Sequence, residues 1–114
     1  MCRVGRKKLI FKQIYGPDIL EGRKTSTVRL YSPVKKGDIV EIRAGKVKIG
    51  TAIIEDVEIK EVRELTDEDA NIDGFSNREE LIRALRRIYG SRISDTTEVK
   101  LIKFKLIGKE ESTP

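Results

Sequence analysis

The segment GRKTSTVR, residues 22–29, gathers several reactive side chains in a short stretch. Lys24 supplies a cation, Thr27 a hydroxyl, and Arg29 a planar guanidinium that can donate two parallel hydrogen bonds. This combination suits a ligand that is anionic or carries a carbonyl group. Gly22 would let backbone N–H groups approach that ligand closely, as glycines do in anion-binding turns. The same residue types are also ordinary on an exposed strand face, so their spacing leaves both interpretations open.

Residue types that are missing narrow the chemistry further. The chain has no His and a single Cys, Cys2. The absence of His excludes Ser-His-Asp and Cys-His catalysis and His-based zinc sites, and a lone Cys cannot form an intramolecular disulfide. Any reaction would depend on Lys, Thr, Ser, Tyr or carboxylate groups. We therefore expect neither a metal nor a cofactor.

A period-two pattern through this segment predicts the strand that orients it. Thr25, Thr27 and Arg29 would lie on one face of that strand. Val28 and Leu30 would point to the core on the other face. Two hydroxyls and a guanidinium then form a row that faces a ligand.

The flanking residues predict how the chain enters and leaves this strand. The apolar run KLIF at residues 8–11 predicts a first strand, and Gly16-Pro17 predicts the start of a short helix. Gly22 fits the left-handed residue that often follows the end of a helix. Ser32-Pro33 ends the strand.

The rest of the chain predicts further strands and a small sheet. Strand patterns cover residues 39–43, 47–62 and 98–107. Within the second of these, Gly50 is typical of a bulge, and Glu55-Asp56 of a bend or a second turn. The element order is then β-α-β-β-β-β-α-α-β. It predicts an α+β domain built round a small, mostly antiparallel sheet that closes on itself.

Two helices are expected before the last strand. Thr66 begins a capping box and Asp73-Gly74 ends a short helical turn. The longer helix, residues 77–89, follows a second capping box at Ser76 and ends at Gly90. Its buried stripe is expected to contain Leu81, Leu85 and Ile88, with Arg83, Arg86 and Arg87 on the opposite, solvated face.

Length and composition limit the class of protein. The 114 residues predict a single domain at 1–108 with a solvated tail at 109–114. No apolar run approaches the roughly 20 residues of a membrane span, so we expect a cytoplasmic protein. The net charge of +5 favours acidic partners, of which nucleic acid is the commonest. Few Asn and Gln beside abundant Lys and Glu favour a thermophilic source. The oligomeric state is left open.

The stretch ILEGRKTSTVR resembles the signature of the ASCH domain family, a GxKxxxxR pattern filled here by Gly22, Lys24 and Arg29. The resemblance extends over most of the chain, including KKGD after the motif and DGFSNREEL at the start of the longer helix. It implies a small β-barrel similar to PUA domains. It also implies that the motif lines a cleft proposed to bind RNA or a nucleotide.

A narrower resemblance is to small bacterial ASCH amidohydrolases that deacetylate N(4)-acetylcytidine. It implies that Lys24 is the proton acceptor and Thr27 the nucleophile. The third catalytic residue of those enzymes is a Glu; one inserted residue places Asp73 there, and without the insertion Gly74 falls at that position. The like charges of Arg23 and Arg29 should disfavour the ammonium form of Lys24 and make it a better base. Asp73 is also typical of an ordinary Asp-Gly helix stop.

These observations give a defined set of candidate residues and three hypotheses. The candidate ligand-binding residues are Gly22, Arg23, Lys24, Thr25, Thr27, Arg29, Tyr31 and Phe75, the two aromatics serving to stack a base. The first hypothesis is a domain that binds RNA or a modified nucleoside. The alternative is an amidohydrolase acting on N(4)-acetylcytidine, with Lys24, Thr27 and Asp73 as catalytic residues. A third is an interaction module without a small ligand.

Overall fold

A computed structural model describes residues 7–109 of the chain. Cys2 and residues 110–114 of the expected tail lie outside this part. Within it the chain forms five strands, which are β1 (Lys7–Phe11), β2 (Ser26–Arg29), β3 (Ile39–Ala44), β4 (Val47–Glu61) and β5 (Glu98–Lys109). The α-helices are α1 (Gly16–Leu20), α2 (Asp67–Ile72) and α3 (Arg78–Tyr89). Short 3-10 turns cover Gln13–Tyr15, Val62–Glu64 and Gly90–Arg92.

The five strands form one sheet in the order β1-β3-β4-β5-β2. The β1–β3 pair is parallel, and the other three pairs are antiparallel. The sheet curls into a half-barrel, with the short α1 before the motif strand and the longer α3 before the last strand. This confirms the expected α+β fold. The strand order leaves β1 and β2 at the two edges, so hydrogen bonding between strands does not close the sheet.

Strand β4 corrects one expectation. It is continuous over 15 residues, and Glu55-Asp56 does not form a second turn. Its pairing with β5 instead shifts register between Ile54 and Asp56. A bulge inserts an unpaired residue and bends a strand without ending it, which is why one long strand replaces the expected two. Two further shifts lie near Gly50, one between Ile42 and Arg43 of β3 and one in the pairing with β5 between Thr51 and Ala52.

Two hydrophobic clusters form the core. The first lies on the sheet and includes Leu9, Phe11, Ile19, Val34, Val40, Ile42, Ala52, Ile54, Ile102 and Phe104. The second joins the sheet to α2 and α3 and includes Val28, Val62, Leu65, Ala70, Leu81, Ile82, Leu85, Ile93, Val99 and Leu101. The short strand β2 contributes Val28 to the second cluster, while Leu30, which follows the strand, packs against it half-buried. The motif strand therefore lies where the two clusters meet.

Local hydrogen bonds fix the ends of the helices. Thr66 caps α2 by accepting from the backbone N–H of Asp69 at 3.0 Å, as its capping box predicts. The N-cap of α3 is Asn77, whose side chain accepts from Glu80 N at 3.0 Å, one residue later than expected. Ile88 was expected in the buried stripe of α3, but its side chain is 60% exposed. It lines an open cleft between β1, β2 and α3 and does not belong to the second core cluster.

Candidate functional site

A cleft of about 380 Å³ opens where the two core clusters meet. Residues from β1, β2, α3 and the loops beside them surround it. Its lining comprises Ile10, Phe11, Lys12, Tyr15, Lys24, Thr27, Val28, Arg29, Asp73, Phe75, Leu81, Ala84, Leu85, Arg87, Ile88 and Tyr89. A volume of this size falls within the range of small-molecule pockets, roughly 300–1,000 Å³.

The backbone of the motif turn places Lys24 in this cleft. The carbonyl oxygen of Asp18 in α1 accepts from the N–H groups of Arg23 at 2.8 Å and Lys24 at 3.1 Å. The N–H of Thr25 donates to Ile72 O at the end of α2, at 2.9 Å. The turn is thus tied to two helices at once. Lys24 consequently lies beside the residue that follows α2, which is Asp73.

Lys24 and Asp73 form a buried ion pair inside the cleft. Each residue is only 3% exposed. Lys24 Nζ donates to Asp73 Oδ1 and, at 2.7 Å, to the backbone oxygen of the same residue. Aromatic rings surround the ammonium group, with Nζ 5.0 Å from the ring centre of Tyr15, 5.5 Å from Phe11 and 6.0 Å from Phe75. Contacts of this kind stabilise a cation removed from water.

Burial shifts both members of the pair toward their neutral forms. Loss of solvation raises the pKa of Asp73 to about 6, although the charge of Lys24 and its hydrogen bond act in the opposite direction. Burial also lowers the pKa of Lys24, and the attraction of Asp73 offsets this only in part. A proton that moves from the ammonium to the carboxylate therefore meets a smaller free-energy cost here than in water.

Thr27 and Arg29 form a second polar pair on β2. Arg29 Nε donates to Thr27 Oγ1 at 2.9 Å, and Arg29 Nη2 donates to the backbone oxygen of Ile10 at 2.9 Å. The guanidinium carbon lies 5.0 Å from the ring centre of Phe11. Because Ile10 belongs to β1, this arginine connects the two edge strands that the sheet leaves apart. It holds the Thr27 hydroxyl in one orientation at the same time.

The structure brings some of the predicted residues together and leaves others outside. Lys24, Thr27, Arg29, Asp73 and Phe75 all line the cleft.

The other predicted ligand-binding residues lie elsewhere. Gly22 and Thr25 line a second depression, against β5. Arg23 is exposed and forms ion pairs with Asp18, at 2.9 Å, and with Glu21. The side chain of Tyr31 is 70% exposed and is not part of the cleft lining.

Sequence reasoning did not assign Phe11 to the site. It belongs to the apolar run that predicted the first strand, and it is 6% exposed within the first cluster. Its ring nevertheless lies beside two cations of the cleft, Lys24 and Arg29. Tyr15, in the 3-10 turn after β1, and Tyr89, at the end of α3, also line the cleft. An aromatic residue at the end of the predicted first strand was the available signal.

Gly74 has a left-handed backbone conformation beside the Lys24 side chain, and this leads to a prediction. Its φ of 93° lies in the left-handed region, and an added Cβ would sit 3.9 Å from the alkyl carbons of Lys24. Gly74→Ala should destabilise the fold by about 1–2 kcal/mol in chemical unfolding, because of backbone strain. Gly108→Ala is the matched control, since its Cβ would meet nothing within 4 Å and its φ is not in that region. Equal stability of both variants would contradict the prediction.

The described residues contain no group of three or more His, Cys, Asp or Glu side chains placed to hold a metal ion. Among the helices of residues 7–109, none is long and apolar enough to cross a membrane.

The fold and the cleft together define a small α+β half-barrel domain with a buried Lys–Asp pair beside a Thr–Arg pair. The model of the ASCH domain family matches residues 7–108, and the chain belongs to this family.

Solved structures share the fold at low sequence identity. A protein from Enterococcus faecalis V583 matches with a TM-score of 0.78 and 16% identity, covering 100% of this chain and 88% of that one. An ASCH domain from Lactobacillus crispatus JV V101 matches with a TM-score of 0.77 and 12% identity, covering 90% of this chain and 80% of that one. A mutant ASCH protein from Zymomonas mobilis matches with a TM-score of 0.62 and 18% identity, covering 93% and 76%. No curated protein sequence matches the chain.

Proposed function

We propose that the cleft binds the base of a modified nucleoside or of a nucleotide in RNA. RNA binding has been proposed for the ASCH family. For this chain, the proposal is supported by the combination of polar groups and aromatic rings inside the cleft. Polar groups of Lys24, Thr27, Arg29 and Asp73 lie next to aromatic rings. A nucleobase has the same two properties, a hydrogen-bonding edge and a flat face that stacks.

The polar groups of the cleft can still form hydrogen bonds with a ligand. An ammonium has three donors and a guanidinium five. Lys24 uses donors on Asp73, and Arg29 uses two on Thr27 and Ile10. Because Thr27 Oγ1 accepts from Arg29, its own proton is available for another acceptor. Donors on three side chains can therefore converge on the carbonyl and ring nitrogen atoms of one base.

An aromatic pair in the chain tests this proposal. Phe75 lines the cleft and Tyr31 does not. Base stacking contributes about 1–3 kcal/mol per base, so Phe75→Leu should weaken nucleoside binding by about tenfold or more in calorimetric titration. Tyr31→Leu is the control and should leave the affinity within twofold.

The titrations would use cytidine, N(4)-acetylcytidine, uridine and adenosine, with circular dichroism to confirm folding of both variants. An equal loss in both variants, or wild-type protein that binds none of these nucleosides, would reject the proposal.

A second candidate function is hydrolysis of the acetyl group of N(4)-acetylcytidine. The observation that favours it is the contact between Lys24 and Asp73. Transfer of one proton within this pair produces an amine that can accept the Thr27 proton and a carboxylic acid that can donate one. Thr27 Oγ1 would then attack the acetyl carbon, and Asp73 would protonate the departing cytidine amine. Water would cleave the acetyl ester and regenerate Thr27.

The two candidates differ in their product. Incubation of the wild-type protein with N(4)-acetylcytidine, followed by chromatography, should yield cytidine only if the second candidate is correct. The predicted domain bounds of 1–108, the cytoplasmic location and the thermophilic source remain predictions that accompany either function.

A further inference from the structure

The outer face of α3 carries three arginines that the pairs in the cleft do not use. Arg83, Arg86 and Arg87 are all exposed, and their spacing of i, i+3 and i+4 places them on one side of the helix. Within residues 7–109 none of them forms an ion pair or a side-chain hydrogen bond. Arg78 of the same helix differs, because its Nε donates to Leu65 O at 2.8 Å. We call Arg83, Arg86 and Arg87 the arginine face.

The acidic residues of α3 do not neutralise this face. Glu79 and Glu80 lie in the first turn of the helix, and Glu79 precedes Arg83 by four residues, but within residues 7–109 neither forms an ion pair with the arginine face. Glu80 accepts from the backbone N–H of Ser76 at 3.1 Å. The helix dipole favours cations in the last turn, which suits Arg86 and Arg87. It does not account for Arg83, which precedes Arg87 by a full turn.

The arginine face is continuous with the mouth of the cleft. Arg87 lines the cleft, and its charge lowers the pKa of the Tyr15 hydroxyl against the raising effect of burial. Lys12 lines the same mouth from the segment after β1. Arg83 lies about 6 Å further along the helix axis than Arg87, from the rise of 1.5 Å per residue. Arg83 and Arg86 are not part of the cleft lining, so a ligand confined to the cleft does not contact them.

We propose that the arginine face contacts the phosphates of a single-stranded RNA while one unpaired base of that strand occupies the cleft. This inference rests on the proposed function, because it assumes that the cleft holds a base. It extends that function by naming the ligand as a polynucleotide. A free nucleoside carries no phosphate charge for these cations to bind. It is also too short to reach Arg83 from the cleft.

The geometry favours a single strand over a duplex. A base within a duplex presents its edges only in the grooves, and its faces are covered by stacking. The aromatic rings of Phe11, Tyr15 and Phe75 line the cleft, so they can contact a base face only after that base has left the stack. Exposed guanidinium groups beside such a cleft fit the backbone on either side of the extruded nucleotide.

The experiment compares Arg83→Gln/Arg86→Gln with Lys35→Gln/Lys36→Gln. Both double variants remove two exposed cations, and all four positions lie outside the cleft lining. The probes are a fluorescein-labelled ten-nucleotide single-stranded RNA, cytidine, and a poly-glutamate peptide of similar charge. The arginine variant should lose about tenfold in RNA affinity at low salt. The slope of log affinity against log salt concentration should become shallower by about 1.4, or 0.7 for each cation. The lysine variant should stay within threefold of wild type.

Cytidine affinity should be the same in wild type and in both variants. The inference is overturned if the arginine variant binds RNA within twofold of wild type, or if both variants lose the same affinity. It is also overturned if poly-glutamate binds as tightly as RNA, which would indicate an acidic protein partner. RNA binding that depends on the arginines, in a protein that binds no nucleoside, would support the arginine face and reject the base-binding cleft. The two proposals can therefore fail separately.

Discussion

Lys24→Met should destabilise the protein by about 3 kcal/mol at neutral pH, and adding Asp73→Asn should recover most of this loss. Removing one partner of a buried ion pair leaves an uncompensated charge and costs about 3–5 kcal/mol, whereas replacing both partners is often neutral. Methionine keeps the unbranched chain of lysine, so it can occupy the same buried position without a charge. Urea unfolding of the two variants and wild type measures the difference.

The size of this effect should depend on pH in a defined direction. Burial raises the pKa of Asp73 from the ordinary 3.8 to about 6 in the folded protein. A raised folded-state pKa means that the carboxyl contributes stability fully below about pH 4 and loses that contribution as the pH rises through 6. Lys24 and Arg29 both oppose the rise. Without Lys24 the pKa of Asp73 is higher still, so the variant continues to lose stability at higher pH.

The difference in free energy of unfolding between wild type and Lys24→Met should thus be small at pH 4.5 and much larger at pH 7.5. The double variant has neither charge and should show no such widening. Lys35→Met is a matched control, because Lys35 is exposed. The free energy of unfolding of this variant should differ from that of wild type by less than about 0.5 kcal/mol. A Lys24→Met variant as stable as wild type at pH 7.5 would mean that the buried pair does not contribute as argued.

The sequence predicted those parts of the fold that depend on local signals. Capping at Thr66, the stop at Gly74 and the closing residue Gly90 each involve neighbours within a few positions, and the structure confirms all three. The parallel pairing of β1 with β3 was not predicted. It depends on contacts between distant segments, which propensity and periodicity do not encode.

The alternating sequence pattern of the motif strand did not predict which of its residues are buried. Alternation predicted one core face and one ligand face, yet Ser26, Thr27 and Val28 are all buried. The strand is covered on both sides, so burial does not follow its period of two. Its length of four residues also leaves Tyr31 beyond its end, where the side chain is exposed.

The sequence predicted which residue types the candidate site contains, but it did not predict which of these residues hydrogen bond to each other. The motif suggested that Lys24 and Thr27 act together, and the position of the acid depended on one inserted residue. In the structure Lys24 hydrogen bonds to Asp73, while Thr27 hydrogen bonds to Arg29. The pairing of Lys24 with Asp73 depends on the hydrogen bond from Thr25 N to Ile72 O, which joins segments far apart in the chain. The pairing of Thr27 with Arg29 is local, but the alternation of the strand does not specify it.

The largest expected effect on activity concerns Thr27 under the hydrolase candidate. Thr27→Val should reduce release of cytidine from N(4)-acetylcytidine by roughly a thousandfold or more, because loss of a covalent nucleophile has effects of that size or larger. Valine matches threonine closely in shape, so the cleft keeps its volume. Thr27→Ser keeps the hydroxyl that accepts from Arg29 and should stay within about tenfold of wild type. Product chromatography measures both rates.

Further measurements distinguish loss of the Thr27 nucleophile from a general loss of stability or of ligand binding in the Thr27→Val variant. Thr27→Val leaves Arg29 Nε without its acceptor at 2.9 Å, which by itself costs about 1–3 kcal/mol of stability, so unfolding must be measured for each variant. Calorimetry should show that the folded Thr27→Val protein still binds N(4)-acetylcytidine. Rapid quenching of the wild type followed by peptide mass analysis should find one acetyl group on Thr27. Release of cytidine by Thr27→Val at the wild-type rate would exclude Thr27 as nucleophile, and a wild type that binds but never releases cytidine would leave the protein a binder.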